Sequence, residues 1–155
     1  MKHSMLAITL ILVGCSSASV KPVEPARNDD ISSYLLKGDA SVRGQAFYKV
    51  KKGDIKSAAG NDVVLVPAAM YSGEGIGFLD VSNHVIAKVS PNLRPYARIT
   101  HANSNGHFEF KALPAGDYYL ECGIYWNAGD SRTGTIVKKK VSLNKSQSLT
   151  VVLSE

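Results

Sequence analysis

His101 and His107 bracket the turn Asn103-Ser104-Asn105-Gly106, and they are the side chains here best placed to do chemistry together. Asn-Gly between extended segments is a strong short hairpin signal, so the two imidazoles can approach each other across it. With Asp117 or Glu109 they would offer the nitrogen and oxygen ligands that a metal takes. No dense ligand pair such as Cys-x-x-Cys or His-Glu-x-x-His is present, however. Histidines beside a surface turn are the plainer reading, and His84 is the third histidine beyond residue 14. We assign no metal. A serine hydrolase would want a Gly-x-Ser-x-Gly elbow, which is absent. Gly73, Gly75 and Gly77 do not lie between a predicted strand and a helix, so they make a weak phosphate loop. Asp54 and Asp62 fall in turns, where aspartate is favoured for ordinary backbone reasons. Catalysis needs groups held within hydrogen-bond reach in a cleft. None is legible, so the expectation is a non-enzyme with no catalytic residues and no cofactor.

Two further groups are candidates for binding. Lys138-Lys139-Lys140 would suit a phosphate or carboxylate, but Lys139 falls in the inward series Val137, Lys139, Val141, Leu143. An inward lysine makes a sheet edge unattractive to another chain, so that strand reads as an edge. Among the aromatics, Trp126 ends the apolar series Tyr118, Leu120, Cys122, Ile124 and reads as core or rim packing. Tyr119 and Tyr125 fall on the opposite face. If that face is bare they form, with Tyr71, an aromatic patch for contact with a ligand or partner, either a protein or a glycan.

The elements that must position these residues are strands. Val42, Gly44, Ala46, Tyr48 and Val50 alternate with Arg43, Gln45, Phe47 and Lys49, a period of two. Asp62 to Val66 follows the turn Ala59-Gly60-Asn61, and Tyr96 to Thr100 precedes the Asn-Gly turn. His107 to Phe110 and Tyr118 to Trp126 sit either side of Leu113-Pro114-Ala115-Gly116-Asp117. Thr135 to Leu143 pairs back after a loop at 127–134, and Gln147 to Leu153 closes the chain. About seven strands with turns every eight to twelve residues argue for an all-β sandwich. Residues 70–95 are a long excursion ending in Pro91 and Pro95, and such excursions are often functional. Val63 to Val66 is apolar on both faces, so this excursion is a candidate cover for the outer side of that strand.

Ahead of the strands, residues 16 to about 38 read as a tether. Serines, Pro22, Pro25 and Arg27-Asn28-Asp29-Asp30 offer too little apolar surface to offset ordering entropy. Ile31 to Leu36 is a candidate helical turn ended by Gly38. The chain is 155 residues with a formal net charge of +5, and its basic residues are scattered without interleaved aromatics. Nucleic acid is therefore excluded as a partner, while a mildly basic surface suits anionic lipid or polysaccharide.

The N-terminus is similar to the signal of bacterial lipoproteins. Lys2 and His3 form a basic start, Met5 to Val13 is apolar apart from Thr9, and Leu12-Val13-Gly14-Cys15 resembles a lipobox. Nine helical residues rise only about 14 Å, half of the hydrocarbon core, so the segment does not span. The resemblance implies a signal peptide at 1–14, cleavage before Cys15, and acylation of its thiol (a palmitate-type lipid anchor). Ser16, in place of Asp, implies sorting to the outer membrane, with the protein facing the periplasm or the cell surface. The alternative is a leader cut by ordinary signal peptidase beside an incidental cysteine. Once Cys15 is consumed Cys122 has no partner for a disulfide and reads as a buried, inert thiol.

Downstream, Asn103, Gly106, Phe108, Phe110, Leu113, Pro114, Gly116 and Tyr118 resemble the signature of carboxypeptidase-regulatory-like, or transthyretin-like, domains. Gly44-Gln45-Ala46-Phe47, Gly53-Asp54, Ala59-Gly60-Asn61, Val66-Pro67 and Tyr71 extend the match over residues 42 to 126. The resemblance implies a transthyretin-like (prealbumin/Ig-like) sandwich over 39–155 after the lipidated cysteine and tether at 15–38. It also implies an accessory or binding module, not a peptidase. Related surface domains form a lysine–asparagine isopeptide; Lys49 and Glu121 are imaginable members, but the final strand lacks an asparagine. The expected function is an outer-membrane-anchored, non-catalytic binding or scaffolding lipoprotein with an envelope protein partner. A secretion-system or surface-exclusion lipoprotein and a glycan- or peptidoglycan-binding module are the alternatives.

Overall fold

The computed structural model describes residues 31–51, 53–71, 89 and 91–154. The leader, Cys15, Ser16, the tether up to residue 30, the glycines at 73, 75 and 77, and His84 lie outside these residues. Among the described residues eight strands form two four-stranded sheets packed face to face, an all-β sandwich of immunoglobulin-like type.

In the first sheet β1 (Ala40–Lys49) is the hub. It pairs antiparallel with β5 (His107–Leu113) through residues 40–45 and parallel with β8 (Ser148–Leu153) through residues 41–46. It also pairs antiparallel with β2 (Ile55–Ser57) through residues 47–49. The inward set Val42, Gly44, Ala46 is buried. Gly44 is required by close approach, because a Cβ there would run into the Val151 carbonyl and the Phe108 ring. The second sheet has the order β4 (Arg98–His101), β3 (Asp62–Pro67), β6 (Gly116–Ala128), β7 (Ser131–Leu143).

Three elements depart from the sequence reading. β2 was not legible, since its three residues carry no alternation. β6 and β7 run on through the expected loop at 127–134 to a two-residue turn, with Asn127 opposite Arg132 and Ala128 opposite Ser131. Backbone pairing extends that hairpin beyond the last apolar side chain. Finally, the helical turn expected at Ile31 to Leu36 is present as a 3₁₀ turn at Ile31–Leu35, but it docks on the sandwich instead of continuing the tether. Tyr34 is buried there, its ring edge-on to Tyr118 at 5.1 Å, and its hydroxyl accepts the Asp117 N–H at 3.2 Å.

The main core lies between the sheets, with Leu65, Leu113, Leu120, Ile124, Leu143 and Leu153 fully buried. A second, smaller core lies on the outer side of β3, where Val89 and Leu93 cover Val64 and Val66 with help from Met70, Tyr71, Ala97 and Tyr119. That outer cover is why β3 is apolar on both faces. β7 is an edge strand, as its inward lysine suggested. The Lys139 Nζ crosses to the other sheet and donates to the Val152 carbonyl at 3.2 Å.

Candidate functional site

The Asn-Gly turn is built by side chain and backbone together. The Asn103 carboxamide oxygen accepts the N–H groups of Asn105 at 2.9 Å and His107 at 3.0 Å. Gly106 takes φ +78°, a left-handed conformation that glycine adopts without a Cβ penalty. The Ala46 N–H donates to the Gly106 carbonyl at 2.9 Å, which locks the turn onto β1. His101 and His107 both line one hollow of about 810 Å³ formed by β1, β5 and β8 of the first sheet together with Thr100 and His101 of β4 from the second.

Strand register fills the rest of that hollow. Arg43 lies opposite Glu109 on β5 and Thr150 on β8, and Gln45 lies opposite His107 and Val152. Each of these positions points away from the core, because its neighbours Val42, Gly44, Phe108 and Val151 point in. The Arg43 Nε donates to the Thr150 Oγ1 at 3.2 Å, and the Gln45 Nε2 donates to the Asn105 carbonyl at 2.8 Å. Glu109 pairs with the Lys111 Nζ at 3.0 Å, and the His101 Nδ1 meets the Asp62 carboxylate. The result is an open hollow of mixed polar and apolar lining, in which Arg43, Gln45 and Glu109 are held by their neighbours. It suits a ligand rich in hydroxyls and charge.

Sequence reasoning found the two histidines and Glu109 but missed Arg43, Gln45 and Thr150. No local spacing marks these, since they come together only through the pairing of β1 with β8. The metal reading does not assemble. Among the described residues no group of three or more His, Cys, Asp or Glu side chains is positioned to hold an ion. Asp117 stands elsewhere, with the Lys140 Nζ at 3.3 Å and the Ser142 hydroxyl at 2.7 Å.

The tyrosines singled out as contact residues are placed differently from an open patch. Tyr71 and Tyr119 stack at 4.0 Å between centroids, 21° from parallel, and both pack against the second core. The Tyr71 hydroxyl donates to the Glu121 Oε1 at 2.6 Å, and Glu121 is fully buried. Burial, then the hydrogen bond to Glu121, raises the Tyr71 phenol above its ordinary range. Tyr125 is half-buried over Gly123 and Gly134, with the Arg132 guanidinium 5.4 Å above its ring. Trp126 is rim packing, stacked on Tyr48 at 5.5 Å.

The remaining candidates disperse. Lys138 lies over the Tyr71 ring at 6.0 Å, Lys139 reaches Val152, and Lys140 reaches Asp117, so the three lysines do not converge on one anion. Lys49 is exposed on β1 while Glu121 is buried on β6 of the other sheet, which rules out a shared cross-link. Cys122 is fully buried, and burial, with a smaller push from Asp62, raises its thiol to about 12.

No model of a known protein family matches the sequence, and no similar curated protein is found. Solved structures do match. One is a Pseudomonas aeruginosa protein described as a candidate carbohydrate-binding protein, 26% identical, with a TM-score of 0.62 over 77% of this chain and 90% of that one. A minor pilin of Streptococcus agalactiae is 21% identical, with a TM-score of 0.39 over 77% of this chain and 44% of that one. The major pilin of Bacillus cereus is 14% identical, with a TM-score of 0.39 over 77% of this chain and 30% of that one.

Proposed function

We propose that this protein is an outer-membrane lipoprotein whose sandwich binds saccharide, without catalysis, in the hollow floored by Arg43, Gln45 and Thr150. The observation that carries the reading is that hollow. It presents fixed donors and acceptors on a rigid sheet, which is how a binding surface meets a polyhydroxylated ligand without ordering itself first. The likeness to a candidate carbohydrate-binding protein over most of both chains supports the same reading. Cys15 supplies the anchor and Ser16 the sorting signal. Residues 16–30 supply the reach, about 45 Å when extended.

Retention on immobilised envelope polysaccharide or peptidoglycan tests the binding half. Wild type is retained and Arg43→Ala is not; equal retention of the two would remove the hollow from the reading. Intact-mass measurement of native material tests the anchor, with a chain beginning at an acylated Cys15 as the expected species.

A second reading, a scaffold that grips another envelope protein, is favoured by Ile99 and Val152. These lie on β4 and β8 and are about half exposed, at 51% and 49%. Crosslinking in intact envelopes distinguishes the two: one protein trapped consistently through these strands supports the scaffold.

A further inference from the structure

One guanidinium of the hollow, that of Arg43, has no ion-pair partner among the described residues, and it selects among saccharides. Arg43 and Glu109 are register partners across β1 and β5, the arrangement in which opposite charges ordinarily pair. Glu109 instead pairs with Lys111 at 3.0 Å, and Arg43 uses its Nε on Thr150. No carboxylate among the described residues neutralises Arg43. Its two terminal nitrogens remain available as a planar fork, the geometry that grips a carboxylate through two parallel hydrogen bonds. Asp62 is taken by His101. The His107 imidazole makes no hydrogen bond among the described residues and adds a further donor at the rim. Arg43 is thus the one of these charged groups left without an ion-pair partner among the described residues.

The polar atoms beside it fit a sugar carrying that carboxylate. The Gln45 Nε2 gives one hydrogen to Asn105, which leaves its Oε1 to accept from a ligand hydroxyl. Thr150 accepts from Arg43 and keeps its own hydrogen to donate. The one aromatic side chain lining the hollow, Phe108, is buried at 4% exposure. A neutral sugar ring would find no exposed Phe, Tyr or Trp face to stack on, so charge and hydrogen bonds carry most of the affinity.

We infer that the hollow selects saccharides bearing carboxylates, uronic acids above all, with Arg43 as the group that reads the acid. This deepens the saccharide reading and rests on it. Binding per sugar is weak because the site is open to solvent, and it strengthens when one polymer engages several anchored copies.

The test compares a galacturonate tetramer with the matching galactose tetramer, which differ at C6 alone, by calorimetry on the full-length lipoprotein in neutral detergent. Wild type should prefer the galacturonate tetramer by about tenfold, and the preference should collapse in about 0.5 M salt. Arg43→Gln should abolish the preference, Arg43→Lys should keep part of it, and Lys145→Gln, which removes a distant positive charge, should leave it intact. Arg43 is exposed, so near-UV circular dichroism should show all three variants folded. Equal binding of the two tetramers would overturn the selectivity while leaving the saccharide reading standing. Binding of neither would overturn both. A glutamate oligomer bound as tightly as the galacturonate tetramer would show recognition of charge without sugar, and would also overturn the inference.

Discussion

Arg43 and Glu109 face each other across β1 and β5 but do not pair; Thr150 holds one and Lys111 the other. The Lys111 ammonium is therefore what keeps the guanidinium available. Lys111→Ala should let Glu109 swing across to Arg43. Affinity for the galacturonate tetramer should then fall by about twofold to fivefold, the scale of an exposed ion pair, with stability little changed. Unchanged or tighter binding would show that Glu109 does not compete for Arg43.

Tyr71 and Glu121 form the polar joint beneath the second core. Tyr71→Phe removes a donor from a fully buried carboxylate, and loss of such a partner costs about 1–3 kcal/mol. The expected readout is a lower urea midpoint at unchanged slope. Glu121→Gln keeps an acceptor for the phenol and should cost less. A Tyr71→Phe protein as stable as wild type would mean that the joint contributes nothing.

Acid should loosen the end of the sandwich where Asp39 meets Ser146. The Ser146 hydroxyl at 2.6 Å and its N–H at 2.8 Å both donate to Asp39, and together they lower its pKa below the ordinary 3.8. A carboxylate depressed in the folded state contributes stability above its unfolded pKa and loses it as pH falls through the lower folded value. Unfolding midpoints measured between pH 5 and pH 2 should therefore drop less in Asp39→Asn than in wild type. Identical acid profiles would exclude this contribution.

Thiol chemistry separates the two cysteines. With its thiol raised to about 12 and no exposure, Cys122 should resist a disulfide reagent at pH 8 until the protein is unfolded. An acylated Cys15 adds no second reactive thiol. One fast-reacting thiol in the native protein would mean that Cys15 carries no thioether.

The alternation along β1 and β6 was legible because a half-buried strand must place apolar residues at every second position. Tyr118, Leu120, Cys122 and Ile124 all point inward, as their spacing requires. β2 was not legible, because hairpin pairing alone holds Ile55, Lys56 and Ser57 without an apolar face. The outer cover of β3 was legible in outline from Val63 to Val66. Its consequence for Tyr119 was not, because Val89 and Leu93 arrive from a distant part of the chain. The hollow was the least visible feature. Arg43, Gln45, Glu109 and Thr150 are ordinary outward residues of three strands, and only their register makes them neighbours.

The Lys139 ammonium that bridges to the Val152 carbonyl has a consequence for how copies of the protein coexist. A second molecule zipping onto β7 would have to desolvate a lysine held beside that edge. Copies of the sandwich are thus kept from knitting edge to edge into a continuous ribbon.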